Sequence, residues 1–327
     1  MSEQGTSHNA PGPDPTPATS ASAGAADPLA LPLFTEGKPY LGTYETGLYP
    51  GGGNEMPQAH REAGLKLTSQ IQPLDASGAP NAESGRIIAL VLGHSNTHDY
   101  FSALQQHLQR HAHRLRKGFE LLDAAVGGQQ LQEIRPLAGR VWDKAAKLLE
   151  RPGYSPRQVQ VLFLHTTYHG AFNRERRPPR PFPQTMQQMQ QDLAAVLEHC
   201  RRIYPNLRIA YLTCDGFRHH TGFEPHVWQE AFAVKWLIQD HVQGKDEAGF
   251  AGREGRPGRL PWLCWGPYIW DNRWDSSYFT DGVHPAAKAK EIFVTRYTRF
   301  LLNDPVAKAW LLPRQEEAAA TRPGSVQ

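Results

Sequence analysis

A strand is expected over residues 86–92, Arg-Ile-Ile-Ala-Leu-Val-Leu, bounded by Gly85 and Gly93 and apolar at every position after Arg86. A strand that is apolar at every position has no solvent face, so both of its sides need cover. Such strands are typical of parallel sheets sandwiched between helices. The residues that follow support this reading. Positions 99–115 place Phe101, Leu104 and Leu108 on one helical face. Further strands are expected at 119–126, 158–165, 207–213 and 262–265. Helices are expected at 141–149, 185–200, 226–241 and 286–302. A β–α alternation of this kind specifies a parallel sheet with helices on both faces.

The 327 residues suffice for one large domain, and the 39% hydrophobic content is enough to fill a core. Residues 1–32 are rich in Pro, Ala, Ser, Gly and Thr and predict a disordered tail, because they cannot bury enough apolar surface to offset ordering entropy. Residues 33–302 are expected to form a single domain that opens with a loop-rich segment. Residues 303–327 are expected to form a loosely ordered tail. The formal charge of +3 is small for this length and argues against a nucleic-acid partner. The basic run Arg174, Arg176, Arg177, Arg180 is interleaved with prolines and reads as a solvated loop. Three distant cysteines, Cys200, Cys214 and Cys264, form no CxxC pair and read as buried free thiols. No apolar run is long enough to span a bilayer, and the first thirty residues lack the charged and apolar parts of a secretory signal. A cytoplasmic protein is expected from the chain as written, or a secreted one if the true start lies upstream.

Ligands bind beyond the carboxyl ends of the strands in open parallel sheets, so the residues that follow each strand are the ones to read. Gly93-His94-Ser95-Asn96 follows the first strand and opens the first helix. A serine there can attack a carbonyl, with the N–H groups of the helix start available to the oxyanion. Ser95 or Asn96 could equally be a helix cap. Gly127-Gly128 ends the second strand, either as a turn or as a place where substrate approaches the main chain. Asp281-Gly282-Val283-His284-Pro285 precedes the last helix. Its carboxylate can orient the imidazole, leaving the other ring nitrogen for a serine; a helix-capping Asp beside an unrelated His fits the same residues. In combination, these three segments fall on one edge of the sheet in a fixed order.

In this combination the chain resembles the SGNH (GDSL-like) hydrolases, in particular an uncharacterised bacterial subgroup. The resemblance covers roughly residues 38–302. It rests on Gly47-Leu48-Tyr49-Pro50-Gly51, Gly93-His94-Ser95-Asn96-Thr97, Gly127-Gly128-Gln129, Asp281-Gly282-Val283-His284-Pro285, Tyr204-Pro205-Asn206-Leu207 and Trp265-Gly266-Pro267-Tyr268. It implies a flavodoxin-like three-layer α/β/α sandwich and a cofactor-free serine esterase. Ser95 would be the nucleophile, His284 the base and Asp281 its orienting acid. The N–H groups of Ser95 and of Gly127 or Gly128 would form the oxyanion hole. Two departures stand out. His94 occupies the usual Asp position. His165-Thr166-Thr167-Tyr168 lacks the Asn expected after the third strand, so Thr166, Thr167 or Tyr168 is left to supply a hydroxyl.

The expected substrate is a small-molecule or carbohydrate ester. Asn96, Trp270 and Tyr278 are candidate substrate contacts. The aromatic run from Trp262 to Tyr278 suggests a sugar, such as one bearing an O-acetyl group, although aromatics of this kind are also ordinary packing residues. A catalytically silent binding protein on the same fold is the rival reading. A metal enzyme is disfavoured: His94 with His98 and His107 with His111 are four apart, but no HExxH is present.

Overall fold

The computed structural model describes residues 32–168, 181–217, 226–245, 258–271 and 274–314. The expected disorder of 1–32 therefore falls outside the described residues, apart from residue 32, and so does the arginine run at 174–180.

Five strands build the main sheet: β1 (Ile87–Gly93), β2 (Phe119–Asp123), β3 (Val159–His165), β4 (Ile209–Thr213) and β6 (Trp262–Trp265). All neighbours pair in parallel, in the order β2-β1-β3-β4-β6. A second, two-stranded parallel sheet pairs β5 (Asp215–Phe217) with β7 (Ile269–Asp271). In chain order the main sheet runs 2-1-3-4-5, the doubly wound arrangement of the flavodoxin type.

The period-two geometry of strands divides the apolar run. Ile88, Leu90 and Leu92 enter one core cluster, while Ile87, Ala89 and Val91 enter the other. The first cluster is covered by α4 (Arg140–Leu149), α5 (Gln184–Ile203) and α6 (His226–Val242). The second is covered by α2 (Ser95–Arg110), α7 (Ala287–Asn303) and α8 (Pro305–Leu311). Each fully buried Ile, Leu or Val contributes about 1.5–3 kcal/mol relative to exposure, so a continuous apolar strand is stable only with helices on both sides. The three cysteines are buried free thiols.

Several elements depart from the sequence expectation: β2 ends at Asp123 instead of 126, β5, β7 and the short helix α3 (Leu131–Ile134) were not expected, and three helices differ in the following ways. Helix α1 (Gln58–Thr68) lies in the segment expected to be loop-rich. Its buried face consists of His60, Gly64, Leu67 and Thr68, which show no apolar stripe. Gly64 is required there because an added Cβ would lie 2.5 Å from Trp262 Cζ2. Helix α8 lies in the tail expected to be loose. Asp304 caps it by accepting from the Ala307 N–H at 2.7 Å, and the fully buried Trp310 donates its indole N–H to Tyr211 Oη at 2.9 Å. The first crossover helix starts at Ser95, one turn before the expected 99, and ends at Arg110. Among the described residues, no helix is long and apolar enough to cross a membrane.

Candidate active site

The turn after β1 is shaped by close backbone approach. A Cβ at Gly93 would meet the His165 carbonyl oxygen at 2.0 Å, so only glycine lets β1 and β3 end side by side here. Thr97, fully buried, locks the turn. Its Oγ1 accepts the His94 N–H at 3.2 Å, lies 3.1 Å from His94 Nδ1 and donates to the His165 carbonyl. His94 serves as the N-cap residue of α2. Ser95 is therefore the first residue of α2. It is partly exposed, and among the described residues its Oγ makes no hydrogen bond.

The loop at 281–284 is held by a single carboxylate. Asp281 Oδ1 accepts the N–H groups of Val283 and His284 at 3.0 and 2.8 Å, and its Oδ2 faces His284 Nδ1 at 2.7 Å. Gly282 takes a φ of +82°, which lets the chain turn between them. The His284 backbone N–H, followed by its imidazole, holds the Asp281 carboxyl down at about 2. Nδ1 is thus committed to Asp281 and Nε2 is left for a substrate or nucleophile.

The two loops meet. Asn96 Nδ2 donates to the Val283 carbonyl at 3.1 Å, a contact across 187 positions of sequence. The residue after Ser95 thereby touches the residue before His284. Ser95 Oγ and His284 Nε2 are not hydrogen-bonded to each other. Asn96 is buried, and its amide nitrogen ties the two loops together.

Gly127 borders Ser95 on the β2 side, and Gly128 follows it. A Cβ at Gly127 would lie 3.8 Å from Ser95 Cβ, and the N–H groups of both glycines are outside the backbone hydrogen-bond network. Gly128 has a φ of +73°.

The end of β3 separates the three hydroxyl candidates. Thr167 Oγ1 donates to the buried Glu230, 2.9 Å from each carboxylate oxygen, so its proton is engaged there. Tyr168 Oη bonds Asp192 at 3.0 Å. Thr166 Oγ1 is buried and, among the described residues, makes no hydrogen bond. Beside it, His165 Nε2 lies 3.1 Å from Asp215 Oδ1, while its Nδ1 is buried without a partner.

Tyr278 is not a free platform. Trp274 stacks on its ring at 4.8 Å and Lys288 Nζ lies over it at 3.7 Å. Trp270 belongs to β7, but its side chain lies outside the described residues. His107 and His111 pack ring to ring at 4.6 Å on the outer part of α2. Among the described residues, no group of three or more His, Cys, Asp or Glu side chains could hold a metal ion. Sequence reasoning missed Thr97, Glu230 and a contact between His98 Nδ1 and Asp123 Oδ2, each of which depends on partners far away in the chain.

No family model and no curated protein matches the chain. Solved structures do. The chain is similar to a lipase/acylhydrolase from Enterococcus faecalis at 12% identity and a TM-score of 0.37, covering 70% of this chain and 98% of that one. It is also similar to a variant of an acetyl xylan esterase from Geobacillus stearothermophilus at 12% identity and a TM-score of 0.36, covering 66% and 94%. A protein of Slackia heliotrinireducens, provisionally assigned as an SGNH hydrolase, matches at 13% identity and a TM-score of 0.34, covering 65% and 97%.

Proposed function

We propose that this protein is a serine hydrolase that cleaves carboxylic esters through an acyl-Ser95 intermediate. The observation that carries the proposal is the Asn96–Val283 hydrogen bond at 3.1 Å, which holds the Ser95 turn against a loop whose imidazole is already oriented by Asp281.

In the proposed cycle, His284 Nε2 takes the proton of Ser95 Oγ as the oxygen attacks the ester carbonyl. Asp281, ionised throughout the neutral range, stabilises the imidazolium and fixes its tautomer. The N–H of Ser95, first in its helix, has no intrahelical acceptor; together with the N–H of Gly127 or Gly128 it receives the oxyanion. The Thr166 hydroxyl is the third donor, because Thr167 and Tyr168 already have partners. The imidazolium then protonates the leaving alcohol, and water, deprotonated by the same imidazole, releases the acid. Proton transfer requires Ser95 Oγ and His284 Nε2 to close to about 2.6–3.2 Å, and such contacts commonly tighten only when substrate is bound.

A catalytically silent ligand-binding protein on the same fold is the second reading, favoured by the absence of a Ser95–His284 hydrogen bond. Labelling with a fluorophosphonate probe separates the two. The native protein should form an adduct that Ser95→Ala abolishes, and it should hydrolyse an aryl acetate in a Ser95-dependent manner that survives a strong chelator. No Ser95-dependent adduct and no Ser95-dependent turnover would leave the binding reading standing.

A further inference from the structure

One helical turn after Ser95, the structure builds a second carboxylate-held imidazole. Asp123, the last residue of β2, is buried; its Oδ1 accepts the Ala125 N–H at 2.9 Å and its Oδ2 contacts His98 Nδ1. Ser102 Oγ adds a contact to the same ring nitrogen at 3.2 Å. His98 follows Ser95 by three residues on α2, and residues so spaced have Cβ atoms about 5–6 Å apart on one helical face. Its side chain is 53% exposed.

Two permanent cations from the opposite face of the sheet converge on the same loop. Lys144 Nζ donates to the Ala125 carbonyl at 2.8 Å and lies 3.8 Å from Asp123 Oδ2. Arg140 Nη1 donates to the Gly127 carbonyl at 3.3 Å. Each keeps further N–H donors free of those contacts. Asp99, the nearest acid on α2, is turned to Lys290 at 2.8 Å, and Asp143 on α4 is exposed without an ion pair among the described residues. The loop that would carry the oxyanion glycines is thus bracketed by Arg140, Lys144 and His98, against one buried carboxylate that already has its own donors.

We propose that Arg140, Lys144 and His98 form a subsite for a carboxylate carried by the ester substrate, on the part of the substrate that lies over Gly127 and Gly128. The proposal rests on the Ser95 hydrolase reading above. It names the substrate class as an anionic ester. The guanidinium and ammonium provide charge-assisted hydrogen bonds to the carboxylate, and His98, held at Nδ1 by Asp123, presents its exposed ring beside them.

The test compares charged and neutral esters of matched shape. One pair places the charge on the alcohol side, 4-acetoxybenzoate against 4-acetoxybenzamide. A second places it on the acyl side, the 4-nitrophenyl half-ester of glutaric acid against 4-nitrophenyl pentanoate. In at least one pair kcat/KM should favour the anion. Arg140→Gln and Lys144→Gln should each lower the anion-to-neutral ratio by about five- to tenfold, mainly through KM, and Arg140→Lys should restore part of it. Ratios that neither variant changes in either pair overturn the proposal while the hydrolase reading survives. Binding of 4-acetamidobenzoate to Ser95→Ala, measured by titration calorimetry against 4-acetamidobenzamide, gives the answer independently of turnover. A preference for the anion that weakens in the Ser95→Ala/Arg140→Gln double variant supports the subsite. Equal affinity for the two probes refutes it.

Discussion

Thr97→Val is the substitution that most directly tests how the candidate nucleophile is held. Valine keeps the shape and apolar character of threonine, so the change removes a hydroxyl and little else. In the native protein that hydroxyl accepts the His94 N–H at 3.2 Å and donates to the His165 carbonyl, in a position with no solvent access. Its loss leaves a buried donor without an acceptor and deprives a buried carbonyl of one of its donors. Each such loss costs about 1–3 kcal/mol, and the added methyl returns under about 1 kcal/mol of apolar burial, so a net destabilisation of about 2–4 kcal/mol is expected. Thr97→Ser is the control. It keeps both hydrogen bonds and loses one methyl, for about 1 kcal/mol. Urea unfolding followed by fluorescence of the eight tryptophans reads the difference as a shift in midpoint at constant slope. The order of stability should be native, then serine, then valine. A valine variant as stable as the serine variant would mean that the hydroxyl does not clamp the turn, and the account of how Ser95 is positioned would be wrong.

Further expectations concern the loop contact, the carboxylate and the C-terminal helix. Asn96→Ala should lower kcat on an aryl acetate by about a hundredfold, the scale of a 1 Å misplacement of reacting groups; a rate within twofold of native would show that the Asn96–Val283 bond does not align the loops. Asp281→Asn should cost about 10³–10⁴ in kcat while the protein stays folded at neutral pH, and kinetics beside circular dichroism checks both. Because the Asp281 carboxyl is held at about 2, below its ordinary value of 3.8, its contribution to stability is present above pH 4 and fades as pH falls from 4 to 2. The Asn variant should therefore lose less stability than the native protein over that window, and parallel acid-unfolding curves would contradict the assignment. Trp310→Ala should destabilise by about 3–5 kcal/mol, as expected for a fully buried aromatic that also bonds Tyr211; a midpoint near native would return this segment to the status of a loose tail.

Much of the architecture was legible because the signal was local. The apolar run at 87–92 and the alternation after it required a parallel sheet with two helical layers, and the strand order matches. The pieces at 58–68 and 305–311 were not legible. The first buries a histidine and a glycine against Trp262, and the second is a short helix whose stability comes from one tryptophan finding Tyr211. The Asp304-Pro305 start of the second helix is local, but the burial that holds each helix in place depends on a partner some two hundred residues away for the first and about a hundred for the second.

The candidate site divides in the same way. Sequence alone determined which chemical groups stand at the carboxyl ends of the strands: a serine opening a helix, paired glycines, and an aspartate three residues before a histidine. Tertiary structure decided their availability. It committed Thr167 to Glu230 and Tyr168 to Asp192, leaving Thr166 without a partner. It tied Asn96 to Val283, packed Trp274 and Lys288 on the Tyr278 ring, and brought Arg140, Lys144 and His98 onto the loop that begins at Asp123. The physical reason is that residue type and spacing fix what a group can donate, accept or attack. Whether it is free to do so depends on which distant hydrogen-bond partner has already taken it, and only the folded chain sets those pairings.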